Sequence, residues 1–244
     1  MVMGTTMATT GTTITTMSTD SAALYRLLTW LSPAYPVGGF SYSHGLETAA
    51  EAGLASNRLD LVAYITTVLQ AGAGRVDGAL LVAAHRAAQA GKPRVLDSVA
   101  QLAAAWRGTA ETALESMQQG TSFTSITATA WPDARFAAFA ARHKGRLAHP
   151  VAFGAAAGFA AVPLLAAVTA WLAAFAANLV SAGVRIIPLG QTDGQLATAA
   201  LQPIVEAAAQ AALAANLETL GTAAPMLDLL SMRHETQYTR LFRS

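Results

Sequence analysis

The chain reads as all-α: one bundle of about eight to ten helices with no significant sheet. Three observations lead there. Alanine, the residue with the highest intrinsic helix propensity, supplies 57 of the 244 positions. Valine and isoleucine are sparse, and apolar and polar residues nowhere alternate over the roughly four to eight positions that mark a half-buried strand. Apolar residues instead recur at three- and four-residue spacings between stops made of glycine and proline. No long linker and no solenoid-period repeat divides the chain, so residues 21–231 form a single helical domain. A Thr/Met-rich leader over residues 1–20 precedes it, read as disordered. A tail over residues 232–244 follows.

Asp20 or Ser21 caps a first helix through Trp30, with Leu24, Leu27, Leu28 and Leu31 as the expected core stripe. Pro33 ends it. Ser32 to Glu47 is then crowded with two prolines, three glycines and four aromatic or imidazole rings. Pro33 and Pro36 fix φ and remove backbone donors, and Gly38 and Gly39 allow angles that residues with a Cβ avoid. The segment predicts a shaped loop anchored by Phe40 and Tyr42, with a short helix from about Ser43 to Gly53 and Gly45 inside it.

Asn57 with Asp60 starts a helix to Ala71, on a stripe of Leu59, Val62, Ile65, Thr66 and Leu69. Asp77 to Ala90 makes the next one. Arg94 to Gln119 stays helical with Gly108 as a weak point, and the β-branched run Thr121 to Thr129 breaks the pattern. Trp131-Pro132-Asp133 restarts it as far as Lys144. Two apolar helices on either side of Pro163 follow, then a helix from the polar segment at Gly190 to about Leu217, bent at Pro203. Pro225 opens the last short helix.

Composition limits function. Charged residues are 12% of the chain and the net charge is +1, with no basic cluster to neutralise phosphates, so nucleic acid is a poor partner. With no cysteine there are no disulfides, thiolate metal sites or cysteine nucleophiles, which suits a cytoplasmic location. Between Arg146 and Arg185 no side chain is formally charged. That run is long enough to span a bilayer. Its Ala/Gly composition, the break at Pro163 and the polar Asn178 and Ser181 favour a buried helix pair over an anchor at residues 151–184.

Ser41, Ser43, His44 and Glu47 invite a hydrolase reading, but no Gly-x-Ser-x-Gly elbow accompanies them. His44 and Glu47 could share a helix face as ligands, yet no second pair completes a di-metal set. Gly190 to Gln195 lacks the lysine of a phosphate loop and reads as a binding turn or a helix start. The chain therefore predicts no enzyme and no tightly bound cofactor or metal. The tail carries Tyr238, Arg240, Leu241, Phe242 and Arg243, residue types that anchor interfaces. It either docks on its own bundle or binds a partner.

Three segments together carry a resemblance. Ser32-Pro-Ala-Tyr-Pro-Val-Gly-Gly-Phe-Ser-Tyr-Ser-His-Gly-Leu-Glu47 resembles the N-terminal signature of the urease accessory UreF family. Pro188-Leu-Gly-Gln-Thr-Asp-Gly-Gln195 and Met232-Arg-His-Glu-Thr-Gln-Tyr-Thr-Arg-Leu-Phe-Arg-Ser244 are similar to its second and C-terminal signatures. The resemblance implies a dimeric, non-catalytic chaperone of urease maturation. Its partners would be UreD (also UreH), the GTPase UreG and the urease apoprotein. GTP would be bound by UreG, and nickel would pass transiently through the complex. It also implies a partner surface made of Gln191, Asp193, Arg233, His234, Glu235, Tyr238, Arg240, Leu241, Phe242 and Arg243. The helix surface departs from the family in being unusually poor in charge.

Overall fold

The computed structural model describes residues 20–244, so the leader expected over residues 1–20 lies outside the described residues except for Asp20. Eleven α-helices follow: α1 (Ser21–Trp30), α2 (Leu46–Glu51), α3 (Arg58–Gln70), α4 (Ala73–Gln89), α5 (Pro93–Ala105), α6 (Ala110–Ala130), α7 (Ala134–Arg142), α8 (His149–Phe159), α9 (Leu164–Ile186), α10 (Gln191–Ala214) and α11 (Pro225–His234). Two short 3-10 turns, Gly39–Ser41 and Leu217–Thr219, complete the regular structure. There is no strand among the described residues. The all-α bundle is as the alanine content and the helical spacing require.

Helix α4 is the central element. It packs on α8 most extensively and also on α3, α5, α9 and α10. The close approach of α4 and α8 has a specific cause. Gly154 and Gly158 stand one turn apart on the same face of α8. A Cβ at Gly154 would lie 2.5 Å from the Leu81 carbonyl oxygen, and one at Gly158 2.5 Å from that of His85. The two backbones touch, and only glycine leaves room. Around them Trp30 meets Phe123, Phe153 and Trp131 edge-on at centroid distances of 5.9 to 6.2 Å, tying α1, α6 and α8 together.

Every residue from Pro150 to Gly158 is buried, which is how a core helix behaves. Helices α9 and α10 are long and apolar enough to cross a membrane by length and composition, and they pack on each other. The uncharged run is broken after Phe159, where Ala161 takes a left-handed φ of 54° ahead of Pro163.

Several local expectations are corrected. The run Thr121 to Thr129 does not break the helix, since α6 continues through it to Ala130. Its threonines return their hydroxyls to the turn before, Thr124 to Gly120 O at 2.6 Å and Thr129 to Ser125 O at 3.0 Å. Phe123 and Thr127 are buried there, so tertiary packing outweighs weak propensity. The break falls earlier instead. Thr109 caps α6 with a reciprocal Thr109–Thr112 box, which separates α5 from α6 and supplies the extra helix.

On α1 the core face is Ala23, Leu27 and Trp30, while Leu24 and Leu28 are 48% and 67% exposed. The large indole of Trp30 sets the register one position away from the leucine stripe. On α3 the buried set is Leu61, Ile65, Val68 and Leu69, and Leu59 is exposed. Helix α4 starts at Ala73, four residues before Asp77, and takes Gly74 inside it. Helix α10 runs through Pro203 to Ala214.

Candidate functional site

The loop over residues 32–47 and the tail over residues 232–244 form one surface. The loop turns at Pro33 and Pro36, and Gly38 and Gly45 adopt φ of 75° and 76°. Tyr35 and Tyr42 hold it to α6. Tyr35 Oη lies 2.8 Å from Thr127 Oγ1, and Tyr42 Oη donates to Gln118 Oε1 at 2.6 Å. Tyr42 is the expected anchor, whereas the Phe40 side chain is 63% exposed and the residue is held through its backbone, Arg185 Nη2 donating to Phe40 O at 2.8 Å. Gly45 is required for contact with α11, because a Cβ there would come within 3.0 Å of Ser231 N. The helix expected from Ser43 begins only at Leu46.

The tail lies back on this loop. Arg243 N donates to Ser41 O at 2.8 Å, and Ser43 Oγ donates to Ser244 O at 2.7 Å. Phe242 is buried beneath the Arg185 guanidinium, which sits 4.4 Å from its ring centroid. The hinge of the contact is Glu47. Its carboxylate accepts the backbone N–H groups of Leu241 at 2.6 Å and Phe242 at 3.0 Å, and also meets His234 Nε2 at 3.0 Å. On its other side the His234 ring places Nδ1 2.9 Å from Glu111 Oε1, which also takes Arg240 Nη1 at 3.1 Å. His234 is completely buried. Each ring nitrogen thus has a carboxylate oxygen within hydrogen-bond distance, and the two carboxylates also take Arg240 and the backbone N–H groups of Leu241 and Phe242. These partners are what makes burial of the polar groups tolerable.

A second buried node lies next to it. His44, at φ 53°, sends Nε2 to Glu115 Oε1 at 3.0 Å and packs edge-on against Phe175. Burial alone would lower the His44 imidazole, but the charge and hydrogen bond of Glu115 raise it on balance. Glu115 also receives Gln119 Nε2 at 2.8 Å and Ser244 Oγ at 3.1 Å. Deeper still, Arg107 pairs with Asp77 at 2.9 Å, and burial holds the Asp77 carboxyl above its ordinary range despite that partner.

These contacts decide the chemical readings. His44 and Glu47 point to different partners and do not form a ligand pair. Ser43 Oγ is engaged with Ser244 O and His44 with Glu115, so no nucleophile–base contact exists in the loop. Among the described residues no group of three or more His, Cys, Asp or Glu side chains is arranged to hold a metal ion.

Of the residues assigned to a partner surface, His234 and Phe242 are inside, where they hold the chain to itself. Arg233, Glu235, Tyr238, Arg240, Leu241 and Arg243 are exposed, Tyr238 fully so. Gln191 and Asp193 stand in the first turn of α10, where Asp193 pairs with Arg58 of α3 at 3.1 Å. The polar segment after Gly190 is therefore a helix start.

Sequence reasoning missed Glu111, Glu115, Asp77 and Arg107. A signal was present. Glu111, Glu115 and Gln119 recur every four residues along one helix of a chain otherwise poor in charge, which is unusual unless that face has polar partners.

The UreF family model matches residues 55–202. A urease accessory protein UreF from Granulibacter bethesdensis is 61% identical over 229 residues, covering 94% of this chain and 97% of that protein. This chain belongs to the UreF family. Further UreF relatives from Rhodopseudomonas palustris (strain BisB5) and Bradyrhizobium diazoefficiens are 49% and 47% identical, each over 92% of the chain and 93% of their own length. The UreF family match runs from just before α3 into α10 and so covers the α4–α8 core. The loop and the tail flank it and close on one another.

Proposed function

We propose that the chain is a non-catalytic adaptor of urease maturation, and that its tail and signature loop present one preformed surface to partner proteins. Family membership supports the role in urease maturation. The observation that supports the surface is the clamp at Glu47 and Glu111. It fixes a segment carrying the exposed side chains Arg233, Glu235, Tyr238, Leu241 and Arg243. A segment already ordered loses less entropy on binding than a free terminus would. Tyr and Arg are also the residues that most often dominate such interfaces.

In this reading the partners are UreD (UreH), the GTPase UreG and the urease apoprotein, with the chain itself dimeric and cytoplasmic. UreG holds GTP, and nickel is cargo of the assembly, not a resident ligand of this chain. The chain recruits and regulates the GTPase. Co-expression with UreD, UreG and urease subunits tests this. The chain should co-purify with them, and urease should stay inactive without it. A chain that leaves urease activation unchanged when deleted overturns the reading.

A further inference from the structure

Helices α9 and α10 are apolar enough to cross a membrane, yet only 39% and 33% of their most apolar stretches are buried within the chain. The uncovered part has a definite shape. On α9, Leu165, Thr169, Ala173, Ala177 and Ser181 follow at intervals of four and form one row along the helix, half-buried at Thr169 and exposed at the others. No member of the row is charged. It ends at Arg185, whose guanidinium is turned onto Phe40 O at 2.8 Å and the Phe242 ring.

Between this row and α10 runs a groove of about 290 Å³, with buried Ala176, Val180, Leu201 and Val205 along its floor. Exposed Thr198, Ala199 and Gln202 form the α10 rim. Glu206, the one charged residue lining it among those described, accepts Gln202 Nε2 at 3.0 Å. Leu196, 49% exposed, stands one turn before Ala199 on the same helix face. The face thus offers both an apolar groove and a projecting leucine.

Three properties say what covers it. The first is charge. Two copies related by a twofold axis bring the same patch against itself, so a patch rich in one sign would repel its own copy. The tail surface, with Arg233, Arg240 and Arg243, is of that kind and suits a different molecule, whereas the α9 row carries no charge from Leu165 to Ser181. The second is size. At a rise of about 1.5 Å per residue and a width of about 10 Å per helix, the 23 and 24 residues of α9 and α10 present roughly 700 Å². A stable interface takes about 800 Å² from each partner. The third is what a membrane would need. Helices that lie on lipid carry Lys and Arg beside large apolar anchors. Here no Lys or Arg stands between Arg185 and Arg233, and the exposed row is mostly alanine, threonine and serine. Such small side chains let a second pair of helices approach closely. Thr169, Thr198 and Gln202 supply the few hydrogen bonds that an interface rim uses.

We propose that the exposed face of α9 and α10 joins two copies of this chain about a twofold axis, Leu196 of each entering the groove of the other. The inference rests on the dimeric state in the reading above and gives that state its surface.

The test is the mass of the purified full-length chain by light scattering and sedimentation at micromolar concentration. Twice the 25.1 kDa of one chain is expected. Ala173→Arg places like charges across the axis and should weaken dimerisation at least about a hundredfold, with an unchanged circular dichroism spectrum. Ala137→Arg, equally exposed but on α7, should leave the dimer intact. Should Ala173→Arg not fold, the absence of cysteine supplies a second measurement. Ala177→Cys introduces a single thiol at the face and should yield a covalent dimer with a bismaleimide, and Ala137→Cys should not. A dimer that Ala173→Arg leaves intact, or equal cross-linking at both positions, overturns this surface alone. A monomeric parent chain overturns the dimeric state as well, and so does one that is monomeric but sediments with phosphatidylcholine vesicles through this face. Neither result touches the co-purification that tests the adaptor role.

Discussion

Replacing His234 by alanine should destabilise the chain by about 3 kcal/mol. The ring is wholly buried between Glu47 and Glu111, with contacts of 2.9 to 3.0 Å at both nitrogens. Removing one member of a buried ionic group costs roughly 3–5 kcal/mol, because the charges left behind stay buried. Here the lower end applies. Glu47 keeps two backbone donors, Leu241 N and Phe242 N. Glu111 keeps Arg240 Nη1 at 3.1 Å, a partner weakened but not removed by the 40% exposure of that side chain. For a domain of this size each kcal/mol moves the melting temperature by about 2–4 °C, so the expected drop is about 6–12 °C. Calorimetry or circular dichroism reads it directly. Arg233→Ala and Glu235→Ala, on either side and exposed, should stay within about 0.5 kcal/mol of the parent. If His234→Ala melts within about 2 °C of the parent, the contacts of His234 with Glu47 and Glu111 are not what holds the tail, and the clamp argument fails.

Three other outcomes follow from the packing and the charges. Gly154→Ala should lower stability by about 3 kcal/mol or more, because its Cβ would lie 2.5 Å from Leu81 O and force α8 off α4; a chemical melt unchanged from the parent would contradict this. Phe242→Ala should cost about 3 kcal/mol and make the tail sensitive to limited proteolysis, since the ring is buried under Arg185. His149 titrates near 4 when folded and near 6.5 when unfolded, so its contribution is complete above about 6.5 and is lost as pH falls towards 4, at no more than about 1.4 kcal/mol per pH unit. His44 has the opposite sign. Its raised imidazole contributes fully below about 6.5 and loses that contribution as pH rises through its folded value. Denaturant melts of His149→Gln between pH 7 and 5 should therefore be flatter than those of the parent.

Helices, stops and the shaped loop were legible because each rests on local chemistry. Pro33, Gly53, Gly91 and the Asp133 cap act within a turn of where they stand. Register was harder. The leucines at 24 and 28 are as apolar as Leu27, and only the partners of Trp30 across α6 and α8 decide which face turns inward. The Thr121 to Thr129 run misled for the same reason, since propensity is weak beside the burial of Phe123 and Thr127. The site was legible at its edges and not at its centre. Glu47 and His234 were singled out, but 187 residues separate them, and Glu111 is 123 residues from His234. No spacing rule reaches across such distances.

The most direct test of the adaptor account is capture of UreD and UreG by the full-length chain carrying Tyr238→Ala and Leu241→Ala. Both side chains are exposed and make no contribution to the buried clamp, so the melting temperature should match the parent. The account predicts that this folded protein captures its partners at least tenfold more weakly and fails to support urease activation. Undiminished capture and activation by the double variant would show that the tail surface is not where the partners bind.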